Sequence, residues 1–192
     1  MNALFRQFEL TLPHRTIPVS VWGFDDRIAG IRLDFSADDA RQAFADAGAP
    51  PLTDDPAAFP LFEEDLATYR ARGTHRWRAP IQFVEGTPFQ RRVWEGIDAI
   101  APGCTATYGE LAETIGSPQA VRAIGGACGR NPIPLRVPCH RVVAAGGKLG
   151  GFTGVLATKR ALLEHEAGVV SAELFAERLP PDRGESLHFG SA

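Results

Sequence analysis

The sequence lacks any long apolar run, and none reaches the about 18 residues that a helix needs to cross a bilayer. Its first residues, Met1 to Arg6, do not place a basic segment ahead of an apolar stretch, as a secretory signal does. Neither a membrane span nor a signal peptide is supported. We therefore expect a cytoplasmic protein that has no membrane partner.

Cysteine is also scarce. The 192 residues contain three cysteines, Cys104, Cys128 and Cys139, with no CxxC pair among them. This argues against a disulfide framework and a thiol-rich zinc site, and we expect no metal and no cofactor. One cysteine is instead a candidate reactive thiol. A content of 44% hydrophobic and 22% charged residues excludes disordered and collagen-like chains, and the length fits one compact domain or two small ones.

Acidic residues are missing from one long window. The chain has a net charge of −3, yet residues 114–163 contain no Asp or Glu and seven basic residues. One surface is therefore expected to be positive on an otherwise acidic protein, which favours a polyanionic partner. The alternative is that these charges are scattered around a solvated domain.

The first 85 residues have the pattern of a small antiparallel sheet with two helices. Three β-like runs, at residues 5–11, 19–22 and 28–35, alternate apolar and polar side chains. One helix is predicted from a Ser36 cap to Gly48, and a second from Asp55. A strand is expected at residues 81–84, and we place a domain boundary near Gly86.

Helix signals dominate the residues after Gly86. Thr87-Pro88-Phe89-Gln90 and Thr107-Tyr108-Gly109-Glu110 each combine an N-cap threonine with a capping-box residue. The second helix ends at Gly116, and Ser117-Pro118 opens another with Val121, Ile124 and Cys128 on one face. Two short helices joined by a tight turn predict a helix-turn-helix.

The second helix of this pair is poor in side chains that read bases. Beyond Gln119 and Arg122 it offers small residues, including Gly125 and Gly126, so a helix that binds DNA here should have little sequence preference. The alternative is that the two glycines only permit close packing against another helix.

Cys139 is the candidate nucleophile, in an apolar segment predicted to be a strand. It stands beside His140, two residues from Arg141 and inside the acid-free window, all of which favour a thiolate and a lowered pKa. Neighbouring side chains on a strand point to opposite faces, so a water is expected to bridge Cys139 and His140. Glu166 is a candidate to orient His140. The alternatives are a cysteine buried as a small hydrophobe and a solvated carboxylate.

The residues around Cys139 resemble those of the O6-alkylguanine-DNA alkyltransferases. The resemblance runs from Thr87 to Glu166, roughly 80 residues, and rests on four motifs: Arg122-Ala-Ile-Gly-Gly126, Asn131-Pro132-Ile133-Pro134, Pro138-Cys139-His140-Arg141 and Leu149-Gly-Gly-Phe-Thr-Gly154. It implies an α+β protein with a small ribonuclease-H-like α/β domain (1–85), a mainly helical DNA-binding and alkyl-acceptor domain with the helix-turn-helix (86–169), and a tail (170–192).

The resemblance also implies roles for individual residues. Cys139 corresponds to the alkyl acceptor, His140 to the base that acts through a water, Glu166 to its orienting carboxylate and Asn131 to the brace of the preceding turn. The implied DNA-binding residues are Tyr108, Gly109, Ser117, Arg122, which fills the gap left by the flipped nucleotide, and Ala145. The implied base pocket consists of Tyr108, Pro134, Val142, Phe152 and Thr153. Phe152 stands where many members of the family have tyrosine, so it can stack but cannot donate a hydrogen bond.

The predicted function is direct repair of DNA, in which an alkyl group moves irreversibly from O6 of guanine, or O4 of thymine, to Cys139. The expected partner is double-stranded DNA that contains O6-alkylguanine, bound by a monomer. Two alternatives are a non-catalytic helix-turn-helix protein and a cysteine hydrolase. The first lacks base-reading side chains on its recognition helix, and the second leaves the acid-free window unexplained.

Overall fold

A computed structural model describes residues 3–168 of the chain. Within that range the fold is mixed α/β, with a four-stranded sheet, a two-stranded sheet and six α-helices. The larger sheet consists of β1 (Ala3–Leu12), β2 (Arg15–Phe24), β3 (Arg27–Leu33) and β4 (Leu52–Asp54). Its order is β3-β2-β1-β4, antiparallel except for the parallel pair β1 and β4. The predicted tail, residues 170–192, lies outside the described residues.

The three predicted strands of the antiparallel sheet are confirmed as β1, β2 and β3. Alternation explains why they form: Ile31 and Leu33 are buried, while Arg32 between them is half-buried. The sequence does not predict β4, because three residues between two proline-containing turns are too short to show a period.

Two helices follow the three-stranded part of the sheet, α1 (Ala37–Asp46) and α2 (Pro60–Arg72). The predicted start of α1 is confirmed, since the Ser36 side chain accepts a hydrogen bond from the Asp39 N–H. The predicted start of α2 at Asp55 is wrong. The Asp55 carboxylate instead accepts from the Ala57 N–H in a turn, and Phe59 adopts a left-handed conformation with φ of 59° before the helix begins.

The strand expected at residues 81–84 does not form. Only an isolated bridge joins Ile81 to Ile28, where the Gln82 N–H donates to the Ile28 carbonyl at 2.8 Å. The pairing ends after Gln82, and Val84 is 47% exposed.

The rest of the described chain is mainly helical. Its elements are α3 (Pro88–Asp98), β5 (Ala106–Thr107), α4 (Tyr108–Thr114), α5 (Val121–Gly129), β6 (Val142–Val143) and α6 (Leu156–Ala167). Both predicted capping boxes are present, at Thr87 and Thr107, and they set the first turns of α3 and α4. Val121 is 41% exposed, contrary to the expected buried face with Ile124 and Cys128, because it lies at the solvent-facing beginning of α5.

A continuous hydrophobic core joins the two halves of the described chain. It contains Phe8 and Ile31 from the larger sheet, Tyr69 from α2, Trp94 from α3 and Leu162 from α6. A smaller cluster packs α1 against the other face of the sheet. The site described next therefore rests on side chains from both halves.

The helices within residues 3–168 are all too short or too polar to span a bilayer.

Candidate active site

Cys139 lies in a 3₁₀ turn, Cys139–Arg141, immediately before β6. The expectation of a strand at Cys139 and His140 is therefore wrong, because the backbone turns there and becomes extended only at Val142. The three side chains of the turn are all buried, with Cys139 3% exposed. Nucleophile and imidazole thus come from consecutive residues of one rigid turn.

Asn131 holds the segment that leads into this turn. Its Nδ2 donates to the Val137 carbonyl at 2.8 Å, and its Oδ1 accepts from the Ile133 N–H at 3.0 Å. The bend between them includes Leu135, a buried residue with φ of 72°, a conformation that costs an L-residue about 1 kcal/mol. The buried amide of Asn131 offsets this strain and fixes the approach to Cys139.

The Cys139 thiol is protonated in the resting protein. Burial raises its pKa, although hydrogen bonds with the Asn131 and Thr153 side chains and the charge of Lys159 act in the opposite direction. The Thr153 Oγ1 lies 3.9 Å from the Cys139 Sγ. The expectation of a lowered pKa is therefore wrong, because burial outweighs these groups, and the Arg141 guanidinium is bound to the Glu166 carboxylate. A base is needed to remove the proton.

His140 has the properties of that base. Its Nε2 lies 2.8 Å from Glu166 Oε1, and because an ionised carboxylate only accepts, Nε2 carries the proton. Burial lowers the pKa of His140, and the nearby charge of Glu166 only partly opposes this, so the ring is neutral. Its Nδ1 is buried and has no hydrogen-bond partner within residues 3–168. A basic lone pair is thus available on the other side of the ring.

Glu166 is held by five hydrogen bonds. Besides His140, its carboxylate accepts from the Arg141 Nε and Nη2, both at 2.9 Å, from the Tyr69 hydroxyl at 3.1 Å and from the Gly103 N–H at 3.1 Å. Burial acts to raise the pKa of Glu166, but His140, Arg141 and these hydrogen bonds bring it to about 2. The group stays ionised and orients the imidazole without taking its proton.

Lys159 is a site residue that the sequence interpretation missed. It is completely buried in α6, and its Nζ donates to the carbonyls of Val142, Leu149 and Gly151 at 2.7, 2.5 and 2.9 Å. Burial lowers its pKa to about 8, against the opposing effect of the Cys139 and Cys128 thiols. Lys159 therefore fastens the loop after β6 and places a positive charge near Cys139.

The expected base-pocket residues surround this loop. Pro134, Val142 and Phe152 are buried, whereas Thr153 is exposed. Tyr108 opens α4 and its hydroxyl lies 3.4 Å from the Gly151 carbonyl. Gly150 has φ of +67°, and a Cβ there would lie 3.0 Å from the Tyr108 ring, so only glycine lets the loop approach this ring so closely.

The expected DNA-binding residues other than Tyr108 are all at least partly exposed. Arg122 and Ala145 are exposed, and Gly109 and Ser117 are half-buried near the beginnings of α4 and of the turn before α5. A Cβ added at Gly125 would meet nothing within 4 Å, so this glycine does not serve close helix packing. At Gly126 the nearest neighbour is the Arg130 side chain, at 3.4 Å. Gly125 thus borders open space.

Among residues 3–168, no group of three or more His, Cys, Asp and Glu side chains could hold a metal ion.

The sequence around this site is similar to that of known proteins. Residues 88–168 match the model of the 6-O-methylguanine DNA methyltransferase, DNA binding domain. A methylated-DNA–protein-cysteine methyltransferase of Mycobacterium tuberculosis H37Rv is 45% identical over 122 residues, which cover 64% of this chain and 73% of that protein. One of Methanosarcina acetivorans is 52% identical over 82 residues, 43% of this chain and 53% of that protein.

Solved structures are similar over nearly the whole chain. The crystal structure of the M. tuberculosis O6-methylguanine methyltransferase has a TM-score of 0.72 and 34% identity, covering 91% of this chain and 99% of that one. A structure of M. tuberculosis OGT in complex with DNA has a TM-score of 0.70 and 34% identity, covering 90% and 98%. The similarity therefore includes the sheet and α2 as well as the residues around Cys139.

Proposed function

The chain belongs to the methylated-DNA–protein-cysteine methyltransferase family, and from this we propose that it repairs DNA by moving the alkyl group of O6-alkylguanine to Cys139. The observation that carries the assignment of Cys139 is the neutral state of the next residue, His140. Its Nδ1 has no hydrogen-bond partner among the described residues, and the Cys139 thiol is protonated. The thiol becomes a strong nucleophile only when its proton moves to the imidazole nitrogen. This is general-base activation of a nucleophile.

The transfer step follows from these protonation states. His140 Nδ1 takes the Cys139 proton through a bridging water, and the thiolate attacks the alkyl carbon while the carbon–O6 bond breaks. Guanine departs as an anion and receives a proton in the pocket, so a thiol and O6-alkylguanine become a thioether and guanine. To regenerate the thiol, water would have to expel a thiolate from an unactivated alkyl carbon, so each molecule reacts once.

DNA is the partner that best fits the exposed face of α5. We infer that α4 and α5 form a helix-turn-helix that enters the minor groove, with Arg122 in the stack vacated by the flipped nucleotide. The open space around Gly125 supports close approach of a sugar-phosphate backbone rather than base reading. Thr153 and Phe152 would then cover the extruded base. The protein acts as a monomer in this scheme.

The finer domain assignment also belongs to this proposal. Residues 1–85, with the four-stranded sheet, α1 and α2, correspond to the ribonuclease-H-like domain of the family, and residues 86–169 to the domain that binds DNA and accepts the alkyl group. The similarity to whole alkyltransferase structures supports this division.

Transfer of label from methylated DNA tests the function. With excess duplex that carries labelled O6-methylguanine, we expect about one label per active protein, on the peptide that contains Cys139. Cys139→Ala should take up none, and the matched variant of an exposed cysteine, Cys104→Ser, should take up the full amount. DNA binding without label would favour the non-catalytic alternative, and sustained release of methanol would favour the hydrolase.

A further inference from the structure

Tyr69 reaches the reaction site from the opposite half of the chain. It lies in α2, 97 residues from Glu166, and its hydroxyl is 3.1 Å from Glu166 Oε1. The side chain is completely buried between Trp77, at 5.5 Å between ring centroids, and the edge of His165, at 5.2 Å. The His165 Nε2 also contacts the Tyr69 carbonyl at 2.8 Å. The hydroxyl is therefore fixed in position.

The direction of this hydrogen bond is settled by the two groups. Glu166 is ionised and only accepts, so the Tyr69 hydroxyl donates. Burial and the charge of Glu166 raise the pKa of Tyr69 well above its ordinary value, so the hydroxyl keeps its proton. Oε1 consequently receives three donors: the Tyr69 hydroxyl, the Arg141 Nη2 and the His140 Nε2.

We propose that Tyr69 is a positioning residue of alkyl transfer, whose hydroxyl fixes Glu166 Oε1 and moderates the attraction of that oxygen for the His140 proton. This rests on the proposed function. Arg141 binds both carboxylate oxygens from its own plane, and the Gly103 N–H binds only Oε2. The third donor, supplied at a fixed angle by α2, defines the orientation in which His140 Nδ1 faces away from the carboxylate.

The proposal has a consequence for pH dependence that packing alone does not have. The charged and titratable groups that act on His140 are Glu166 and Lys159 from α6, Arg141 from its own turn, and Tyr69 from α2 through Glu166. Removing the hydroxyl leaves more of the Oε1 charge to the imidazolium. The pKa of His140 should then rise, and since only neutral His140 is a base, the acidic limb of the rate profile should move to higher pH.

Tyr69→Phe in the full-length protein tests this. With protein in excess over methylated duplex, we expect the rate constant near neutral pH to fall about three- to tenfold, with unchanged duplex affinity. Part of the loss should be recovered at higher pH, where His140 is neutral again. The His140 Cε1–H resonance should report the raised pKa directly in an NMR titration.

Phe62→Leu is the matched control. Phe62 is buried in the same helix and stacks on Trp77, with ring centroids 5.3 Å apart, so its truncation disturbs the same packing without removing a donor from Glu166. It should lower thermal stability and leave the pH profile in place. A Tyr69→Phe protein with wild-type rate and profile, or a Phe62→Leu protein with the same shift, would overturn the proposal. A wild-type protein without transfer would instead overturn the function.

Discussion

The turn that carries Cys139 and the exposed face of α5 lie within about twenty residues of each other and are built in opposite ways. In the turn, Cys139, His140 and Arg141 are buried, and the carboxylate behind them accepts five hydrogen bonds. On α5, Arg122 is exposed and Gly125 borders open space. In the proposed scheme, the reaction takes place in a preorganised interior and DNA is bound by a surface that is completed only by its partner. Substitutions in the two regions should therefore separate rate and stability from DNA binding.

The largest expected effect concerns the stability that Glu166 contributes. Its pKa is about 2 in the folded protein against an ordinary 4.5, so the contribution is present above about pH 4.5 and is lost as the pH falls towards 2. At about 1.4 kcal/mol per pKa unit, Glu166→Gln should lower the free energy of unfolding by about 3 kcal/mol at pH 7, with the difference shrinking in acid. Urea unfolding between pH 7 and 3 measures this. The exposed neighbour variant Glu164→Gln should show no such difference at any pH.

His140→Ala should slow alkyl transfer about a hundredfold while leaving duplex affinity nearly unchanged, because the base acts on the thiol proton and not on phosphates. Single-turnover transfer and a separate binding titration give the two quantities. The exposed His14→Ala variant should match wild type in both. If His140→Ala lowers duplex affinity as much as the rate, the turn that carries Cys139 also contributes to DNA binding, and the two regions do not differ in function.

Arg122→Ala should slow repair of a duplex about tenfold and leave the reaction with free O6-alkylated guanine unchanged, because only a duplex has a vacated stack to fill. Transfer rates with the two substrates are the measurement. The exposed variant Arg70→Ala, which removes the same charge from α2, controls for long-range attraction to DNA. If both substrates slow equally, Arg122 does not act in flipping.

The smallest expected effect is that of Gly125→Ala, which should change stability and DNA binding in opposite directions. Gly125→Ala adds a Cβ that meets nothing within 4 Å in the helix interior, so it should raise the free energy of unfolding by about 0.5–1 kcal/mol. If DNA backbone approaches this point, the same methyl group should weaken duplex binding. Thermal unfolding and a binding titration check both signs. A stabilised protein with undiminished affinity would move the DNA interface away from Gly125.

Elements with local signals could be predicted from the sequence. Thr87 and Thr107 predict the starts of α3 and α4, because a capping box is formed by residues only three positions apart. The start of α2 could not be predicted in the same way, because it depends on the left-handed Phe59, whose N–H donates to Asp26 in another part of the chain. The strand predicted for Cys139 fails because Asn131 bends the backbone from outside the segment.

The residues of the site also differ in whether a local sequence signal predicts them. Cys139, His140 and Glu166 carry recognisable chemistry in short motifs, whereas Tyr69 depends on a contact across 97 residues that no local pattern records. Lys159 did leave a signal. It shares a helical stripe with Leu162, Leu163 and Glu166, all buried, and a lysine on such a face needs acceptors inside the protein.

The loop after β6 is anchored through its backbone. Lys159 grips Leu149 and Gly151 through their carbonyl oxygens, so the fastening is indifferent to the side chains that the loop presents. Two side chains of the loop are held separately, because Phe152 is buried in the core and the Thr153 hydroxyl donates to the Cys128 carbonyl at 3.1 Å. Leu149 joins the anchor through its carbonyl oxygen and is half-buried, so its side chain is the one in this loop that can be exchanged while the anchor and the contacts of Phe152 and Thr153 stay in place.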